Sequence, residues 1–328
     1  MNGVQVDSIP AIDLVVPTLH RPDEVAGLLD ELMKQSRLPH RVIIVDGADP
    51  DDTRTRDVVL QHALCHRTNV EHVRSQRGTC VQRNLGLELS SAPWVALLDD
   101  DVRPEPDYFE VIVNYLATVD EQVGGVSGYR GNNTAATANS FRWKLYRRAR
   151  LFSTFEPGRF DSTSGYPINS QLQPPFHGER DIDFMSTACA VYRRSVIDAG
   201  IRFDTELGGF GVLEDVLFSM RVSRHWRLVQ LGDAHAVELR SPVARSSRRE
   251  IGNKSVTNYY YVFDRLFGPL SISQRVRFWR FQAIEVIRIA LHGLLRQDPQ
   301  DFQDIRGRGE AIANILRSRS RAARGQHA

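Results

Sequence analysis

The sequence predicts an α/β fold with a mixed, mainly parallel sheet flanked by helices, followed by a helical C-terminal extension. Short runs rich in Val, Ile and Leu alternate with helical patterns over the first 130 residues, as in parallel sheets that are buried on both faces. Three consecutive aspartates, Asp99, Asp100 and Asp101, close one of these apolar runs. Because open α/β sheets bind ligands where their strands end, the aspartates mark a candidate binding site.

The elements follow from apolar periodicity. Strands are predicted over five segments of the N-terminal half: 12–17, 41–46, 70–74, 94–98 and 123–129. Helices are predicted between them, over 22–35, 79–89 and 104–116. Regular patterns return over 184–192 and 193–199, and they predict a helix over 213–225 and a strand over 227–231. The last seventy residues predict three helices, over 253–267, 274–295 and 302–317. Residues 153–183 are rich in Gly, Pro and Ser, and such a long loop is usually functional or disordered.

Charge is spread unevenly along the 328 residues, although the net charge is only +2. From Ser271 onward there are eleven Arg and five Asp or Glu, which gives +6 and leaves −4 for the rest. This basic C-terminal part predicts an anionic surface partner, for which peripheral membrane contact is one candidate. We expect no nucleic-acid partner.

Several features bear on the cellular compartment. The three cysteines, Cys65, Cys80 and Cys189, have no metal-binding or redox spacing, which favours a reducing cytoplasm. Residues 1–10 lack the basic and then apolar pattern of a signal peptide. No apolar run approaches the ~20 residues that span a bilayer. We therefore expect a cytoplasmic protein that is soluble or bound peripherally to the inner face of the membrane.

Polar residues follow the predicted strands at the positions that one site requires. Pro17 and Thr18 form a turn after the first strand, and Asp46 ends the second, where its carboxylate can accept a hydrogen bond from a nucleobase or ribose. Arg83 lies one turn into the helix over 79–89 and can contact a diphosphate. The three carboxylates of the triplet repel one another unless a cation neutralises their charge, and carboxylate oxygens suit Mg²⁺ or Mn²⁺. The alternative for the triplet is an acidic turn that faces water.

A second carboxylate pair stands far downstream. Glu214 and Asp215 open the helix over 213–225, after a glycine-rich segment that lets the backbone approach a ligand closely. Such a pair also occurs merely to compensate a helix dipole. His235 is a candidate metal ligand, with a structural histidine as the alternative. The basic cluster over 245–249 can face a pyrophosphate or form a solvated surface.

Together these motifs resemble the family 2 inverting glycosyltransferases, which have the GT-A nucleotide-sugar fold. The resemblance spans about 12–258 and rests on the order and spacing of five motifs: Val15-Val16-Pro17-Thr18, Val45-Asp46-Gly47, Arg83-Asn84-Leu85-Gly86, Leu97-Leu98-Asp99-Asp100-Asp101 and Glu214-Asp215. The fourth is similar to the family's DxD element and the fifth to its ED motif. The chain lacks a clear QxxRW element, which argues against a processive membrane synthase.

The resemblance implies metal-dependent transfer of a hexose from a nucleotide sugar, with UDP or dTDP favoured, to a glycan or lipid-linked acceptor. It implies a role in bacterial cell-surface polysaccharide or glycolipid assembly. Asp215 is then the general base, and Glu214 orients the acceptor or the loop. The donor is expected at Pro17, Thr18, Asp46, Arg83, Asp99 and Asp100. Mn²⁺ or Mg²⁺ is expected at Asp99, Asp101 and His235.

The implied organisation is a catalytic domain over 1–245 and an Arg-rich helical extension over 246–328. The catalytic domain has a nucleotide-sugar half to about residue 130 and an acceptor half over 131–245. In the helix predicted over 274–295, apolar residues recur near helical spacing with arginines between them. Such a helix either covers the core of the catalytic domain or contacts a membrane.

Three other functions compete for the same residues. A nicotinamide oxidoreductase requires a glycine-rich turn after the first strand, where this chain has 17–21 without glycine. An aspartyl phosphatase requires Thr or Val where Arg103 stands. A non-catalytic GT-A scaffold that binds nucleotide or glycan, or docks to a membrane complex, is the remaining alternative. The carboxylates of the ED motif argue against it, because a binding protein needs no base.

Overall fold

The computed structural model of the chain describes residues 9–131, 140–208, 211–239 and 246–325, with side chains as far as Arg317. It divides into two compact units. Unit 1 consists of Met1–Ser140, Pro157–Arg159 and Asn169–Ala244. Unit 2 consists of Phe141–Glu156, Phe160–Ile168 and Arg245–Ala328, so two short internal segments belong with the C-terminal helices.

The strands of the described residues are, in chain order, β1 (Ile12–Thr18), β2 (Arg41–Asp46), β3 (Asn69–Arg74), β4 (Trp94–Leu97), β5 (Val102–Pro104), β6 (Val123–Arg130), β7 (Phe160–Asp161), β8 (Tyr166–Pro167), β9 (Glu179–Ile182), β10 (Ala190–Arg193) and β11 (Arg227–Glu238). Among them, nine form one sheet of order β3-β2-β1-β4-β10-β6-β11-β5, with β9 paired to β11. The block β3-β2-β1-β4 is parallel, whereas β10 runs antiparallel to both of its neighbours. The predicted mixed α/β class is thereby confirmed.

The helices of the described residues are α1 (Pro22–Met33), α2 (Arg54–Gln61), α3 (Thr79–Leu89), α4 (Tyr108–Leu116), α5 (Phe141–Arg148), α6 (Arg194–Asp198), α7 (Glu214–Val222), α8 (Arg248–Phe267), α9 (Ile272–Arg296) and α10 (Pro299–Gly325). Helices α1 to α4, α6 and α7 belong to unit 1. Helices α5 and α8 to α10 form unit 2 with the β7–β8 hairpin. None of the helices that the structure describes is long and apolar enough to cross a membrane.

Strand β2 and helix α3 have the predicted bounds, whereas several other predicted elements have different bounds, including the two that follow. The helix predicted over 104–116 begins only at Tyr108, because Val102–Pro104 pairs with β11 as an edge strand. The strand predicted over 227–231 continues to Glu238, since β6 and β5 supply partners for its residues beyond Leu231. Such partners come from distant parts of the chain, so local periodicity does not reveal them.

Helix α3 lies unusually close to strand β1. A Cβ atom at Gly86 of α3 would stand 2.1 Å from Cγ1 of Val15, so only glycine permits this approach. The strands beneath are completely buried, as the sequence predicts, with Val15 and Val16 inaccessible to solvent. The packing fixes the position of Arg83, one turn before Gly86 on the same helix.

Unit 2 has its own core. Tyr146 of α5, Phe281 of α9 and Tyr166 of β8 form an aromatic cluster with Phe152, with ring centroids 4.5–5.9 Å apart. Glu285 of α9 is buried beside this cluster. These contacts join α5 and α9 side by side.

Candidate active site

The ends of β1, β2 and β4 meet at one edge of the sheet. In the parallel register Thr18 stands beside Asp46, and Val15 stands beside Leu97. Pro17 is buried in β1, where it is paired with Val45 of β2. Thr18, Asp46 and the aspartate triplet therefore lie along the edge at which α/β sheets bind ligands.

The side chain of Gln82 of α3 links strands β1 and β2 at this edge. Its side-chain amide donates one hydrogen bond to the carbonyl of Thr18 (2.7 Å) and another to the carbonyl of Val45 (2.8 Å). Gly47 follows β2 directly, and a Cβ atom there would approach the Gln82 amide to 3.0 Å. Nothing local distinguishes Gln82 from an ordinary helical glutamine, so its role is visible only in three dimensions.

Asp46 is completely buried and fully engaged by protein groups. One carboxylate oxygen accepts a hydrogen bond from the Ala48 N–H (2.9 Å). The other accepts from Nη1 of Arg74 (2.8 Å) and faces Nε2 of His72 (3.1 Å). For Asp46 to contact a base directly, as predicted, the side chain of Arg74 or of His72 would have to leave its hydrogen bond with the Asp46 carboxylate. Asp46 instead orients these two side chains, of which Arg74 is partly exposed.

Asp100, the middle aspartate of the triplet, points into the protein. Its carboxylate accepts hydrogen bonds from the Thr18 hydroxyl (2.7 Å) and from Nη1 of Arg21 (2.9 Å). Burial raises the pKa of Asp100 to about 6, although Arg21 and Thr18 favour the ionised form. These interactions fasten the triplet to the turn after β1.

Arg83 bridges the triplet and the downstream carboxylate pair. Its guanidinium donates from Nη2 to Asp99 and from Nη1 to Glu214, each over 2.8 Å, and it lies over the ring of Phe203. Burial lowers the pKa of Arg83, but Asp99 and Glu214 outweigh this effect and hold the pKa above its usual value. The predicted diphosphate contact therefore competes with two carboxylates that already occupy this side chain.

Neighbouring groups hold the bridge in place. The Asn84 side chain exchanges two hydrogen bonds of 2.9 Å with the backbone of Phe203. A Cβ atom at Gly211 would stand 2.2 Å from the Glu214 carboxyl carbon, so the glycine leaves room for that side chain. Gly209 and Phe210 of the same segment lie outside the described residues, as does Arg245 of the predicted basic cluster.

Asp215 stands at the first turn of α7, directly after Glu214. The Val216 N–H donates to its Oδ1 (2.8 Å). Asp215 is partly exposed, yet enough protein surrounds the carboxyl that burial raises its pKa to about 7. Glu214 acts in the same direction, and Arg83 opposes it. A carboxylate that takes up its proton near neutral pH is suited to act as a general base.

Asp99 and Asp101 provide the oxygen ligands that Mg²⁺ and Mn²⁺ prefer. The Asp99 side chain is about one-third exposed, and the carboxylate of Asp101 lies 3.9 Å from Nη1 of Arg21. His235 lies on β11 and packs edge-on against Tyr129, with ring centroids 5.5 Å apart. The described residues contain no group of three or more His, Cys, Asp or Glu arranged to hold a metal ion. Asp99 and Asp101 would thus supply oxygen ligands of the kind that such a cation prefers.

Replacing Arg83 with Met is expected to lower the free energy of unfolding by about 3–5 kcal/mol, because Glu214 then stays buried without its counterion. Arg56→Met is the matched control: Arg56 is exposed and lies 3.5 Å from Asp57, so its loss should cost less than about 1 kcal/mol. Urea unfolding of both variants measures the difference. Equal stability of the two variants would contradict the structural importance of the bridge.

A carboxylate-lined site at the carboxyl edge of such a sheet is typical of nucleotide-sugar-binding proteins with the GT-A fold. A family model described as Glycosyl transferase family 2 matches residues 13–200, which is more than half of the chain. The chain therefore belongs to glycosyl transferase family 2, as its motifs predict.

Individual relatives are similar over shorter segments. An uncharacterized glycosyltransferase of Haemophilus influenzae is 29% identical over 105 residues, which are 32% of this chain and 34% of the relative. The succinoglycan biosynthesis protein ExoO of Rhizobium meliloti is 21% identical over 207 residues, 63% of this chain and 55% of the relative. The chain thus matches between about a third and a half of the length of these two proteins.

A solved structure shares the fold. The mannosyltransferase PcManGT from Pyrobaculum calidifontis, in complex with GDP-Man and Mn²⁺, has a TM-score of 0.53 and 15% sequence identity. The similarity covers 98% of this chain and 80% of that one. The predicted GT-A fold is confirmed by this likeness.

Proposed function

We propose that this protein is an inverting glycosyltransferase that moves a hexose from a nucleoside-diphosphate sugar to an acceptor hydroxyl. Arg83 is the strongest support, because it joins Asp99 of the DxD element to Glu214 of the ED motif, which lies 131 positions after Arg83 in the sequence. The same bridge brings Asp215, whose pKa is raised to about 7, to the edge of the sheet. A protein that only binds a nucleotide has no need of such a base.

Each residue then has a distinct role. Asp215 takes the proton from the acceptor hydroxyl, whose oxygen attacks the anomeric carbon opposite the leaving group and inverts it. Glu214 does not face the acceptor freely, since Arg83 holds it, and it positions the start of α7. Pro17 and Thr18 shape the donor edge, and Asp100 secures the triplet. Asp46 acts on the base through Arg74 and His72.

We propose Asp99 and Asp101 as the ligands of Mn²⁺ or Mg²⁺, with His235 as a structural residue. When bound, the cation offsets the negative charge that develops on the departing nucleoside diphosphate. The complex of PcManGT with GDP-Man and Mn²⁺ supports a metal and a nucleotide sugar in general. Of the donors, UDP and dTDP sugars remain our proposal, and the similarity to ExoO, a succinoglycan biosynthesis protein, supports a role in polysaccharide assembly.

The proposed donor can be tested without knowledge of the acceptor. Thermal-shift measurements with UDP, dTDP and GDP sugars, each with and without Mn²⁺, should reveal one nucleotide that raises the melting temperature only when metal is present. UDP or dTDP is the expected base. Absence of stabilisation by every sugar nucleotide would contradict the proposed function.

The pKa of Asp215 predicts a pH dependence of transfer. The base must be ionised, so kcat/KM should fall about tenfold per pH unit below a pKa near 7 and reach a plateau above it. Initial rates between mildly acidic and mildly alkaline pH measure this profile. A rate that stays constant as the pH falls through 6 would exclude Asp215 as the base.

A further inference from the structure

Helix α9 has two apolar faces, and only one of them is packed. Phe278, Phe281 and Ile289 are buried. Successive residues of a helix are ~100° apart around its axis. On the side opposite to the buried residues, a second group of apolar residues is exposed and lies within an arc of about 100°. We call this set the outer stripe, and it consists of Ile272, Val276, Ala283, Ile287, Leu291 and Leu294.

The outer stripe is large for an exposed surface. Ile272 is 79% exposed and Leu294 is 66% exposed, and the other aliphatic members Val276, Ile287 and Leu291 are more than half exposed. From Ile272 to Leu294 the stripe runs for about 33 Å along the helix. Contiguous exposed apolar surface of this kind marks a contact with a partner or a membrane.

The charges around the stripe are basic. The sequence of α9 contains five arginines and a single acidic residue, Glu285. Glu285 is buried and bonded to Tyr146, Arg142 and Arg288, so it adds no negative charge to the surface. The charge that α9 presents to solvent is therefore positive.

Helix α5 adds further basic residues beside α9. Arg280 of α9 donates hydrogen bonds to the carbonyls of Ala149 and Arg150, which directly follow α5, so the two helices are neighbours. The exposed basic residues of α5 are Lys144, Arg147 and Arg148, and Arg150 follows the helix. The outer stripe thus has Arg280 beside it and a basic flank along α5.

Charge is also divided between the two units. Unit 2 has 21 basic and 9 acidic residues, a net charge of +12, whereas unit 1 has 21 basic and 31 acidic residues, a net charge of −10. The net charge of the whole chain is thus small, whereas the net charges of its two units are large and opposite in sign. An anionic surface attracts unit 2 and repels unit 1.

We propose that the outer stripe and its basic flank dock onto an anionic lipid bilayer. Aliphatic side chains with arginines beside them are typical of helices that lie in the membrane interface. Half-buried Trp279, stacked on Tyr260, adds an aromatic group of the kind enriched at that depth. A second copy of the chain is disfavoured, because a two-fold contact through α9 would oppose its own arginines.

Two arginines of the basic tail that the sequence predicts interact within unit 2. Arg308 of α10 is buried and donates to Asp304 (2.7 Å) and Gln282 (3.1 Å). Arg306 is 3.5 Å from Glu310. Both arginines already interact with groups of unit 2, so the surface of α9 and α5 is the better candidate for the lipid contact.

The test is flotation of the full-length protein with vesicles of phosphatidylcholine alone or with increasing phosphatidylglycerol, at low and high salt. Binding should increase with the anionic lipid and decrease with salt. The double variant Ile287→Ser, Leu291→Ser should bind at least about tenfold more weakly, because its aliphatic surface is lost. Arg147→Gln, Arg148→Gln should also lose about tenfold. Leu60→Ser on α2, at an equally exposed leucine of unit 1, should bind as the wild type does.

Binding that is absent, or that the stripe variant leaves unchanged, would overturn the proposed docking. So would a dimer in analytical ultracentrifugation that the stripe variant abolishes, since the stripe would then contact a second copy. Should the stripe variant fail to fold, the flank variant at Arg147 and Arg148 decides by itself. Donor, metal and acceptor are absent from these assays, so a failure of the proposed transfer reaction would leave their outcome unaffected.

Discussion

Replacing Asp215 with Asn is expected to lower the rate of sugar transfer by about 10²–10⁴ while donor binding is retained. Asparagine keeps the shape of the side chain but cannot accept the proton of the acceptor hydroxyl. Single-turnover transfer and calorimetric titration with the donor measure the two effects separately. Asp198→Asn, an exposed aspartate at the end of α6, is the matched control and should behave as the wild type.

The stability of the same variant separates a catalytic from a structural role. The pKa of Asp215 is about 7 in the folded protein and near 3.8 when unfolded, so ionisation of this group destabilises the fold as the pH rises above the lower value. The neutral asparagine removes this penalty, and the variant should be at least as stable as the wild type above pH 7. Loss of both activity and stability would instead indicate a structural residue.

Removal of a proposed metal ligand is the second change with a large expected effect. Asp101→Ala should lose donor affinity and turnover together, by about a hundredfold or more, because the diphosphate charge is then left without its counterion. Chelation by EDTA should abolish transfer by the wild type, and Mn²⁺ or Mg²⁺ should restore it. Asp30→Ala removes an exposed carboxylate on α1 and should change neither property.

Full activity of the wild type in EDTA would contradict the assignment of Asp99 and Asp101 as metal ligands. An informative comparison is Asp100→Asn within the same triplet. Both oxygens of Asp100 are engaged by Thr18 and Arg21, so this change should act mainly on the stability of the turn after β1. We therefore expect the three adjacent aspartates to respond differently to substitution, because Asp100 bonds to Thr18 and Arg21 whereas Asp99 bonds to Arg83.

Sequence periodicity by itself determined most of the sheet, and the resemblance of five short motifs to a known family predicted the family of this protein, which the family model confirms. Strand β2 and helix α3 have their predicted bounds, because buried parallel strands and amphipathic helices leave patterns in adjacent residues. The triplet Asp99 to Asp101 and the pair Glu214 and Asp215 were identified for the same reason, since each motif is a short contiguous segment. Family membership followed from their order along the chain.

Only the tertiary structure decided how these motifs act. The contact of Arg83 with a diphosphate stays a prediction, and the structure adds that Arg83 bridges Asp99 and Glu214, which lie 16 and 131 positions away. Asp46 was predicted to bind the base, but Arg74, His72 and the Ala48 N–H engage its carboxylate. The periodicity of α9 indicated apolar residues without showing which side is packed. In each case the partners are distant in sequence, and the energies of buried charges and apolar faces depend on those partners.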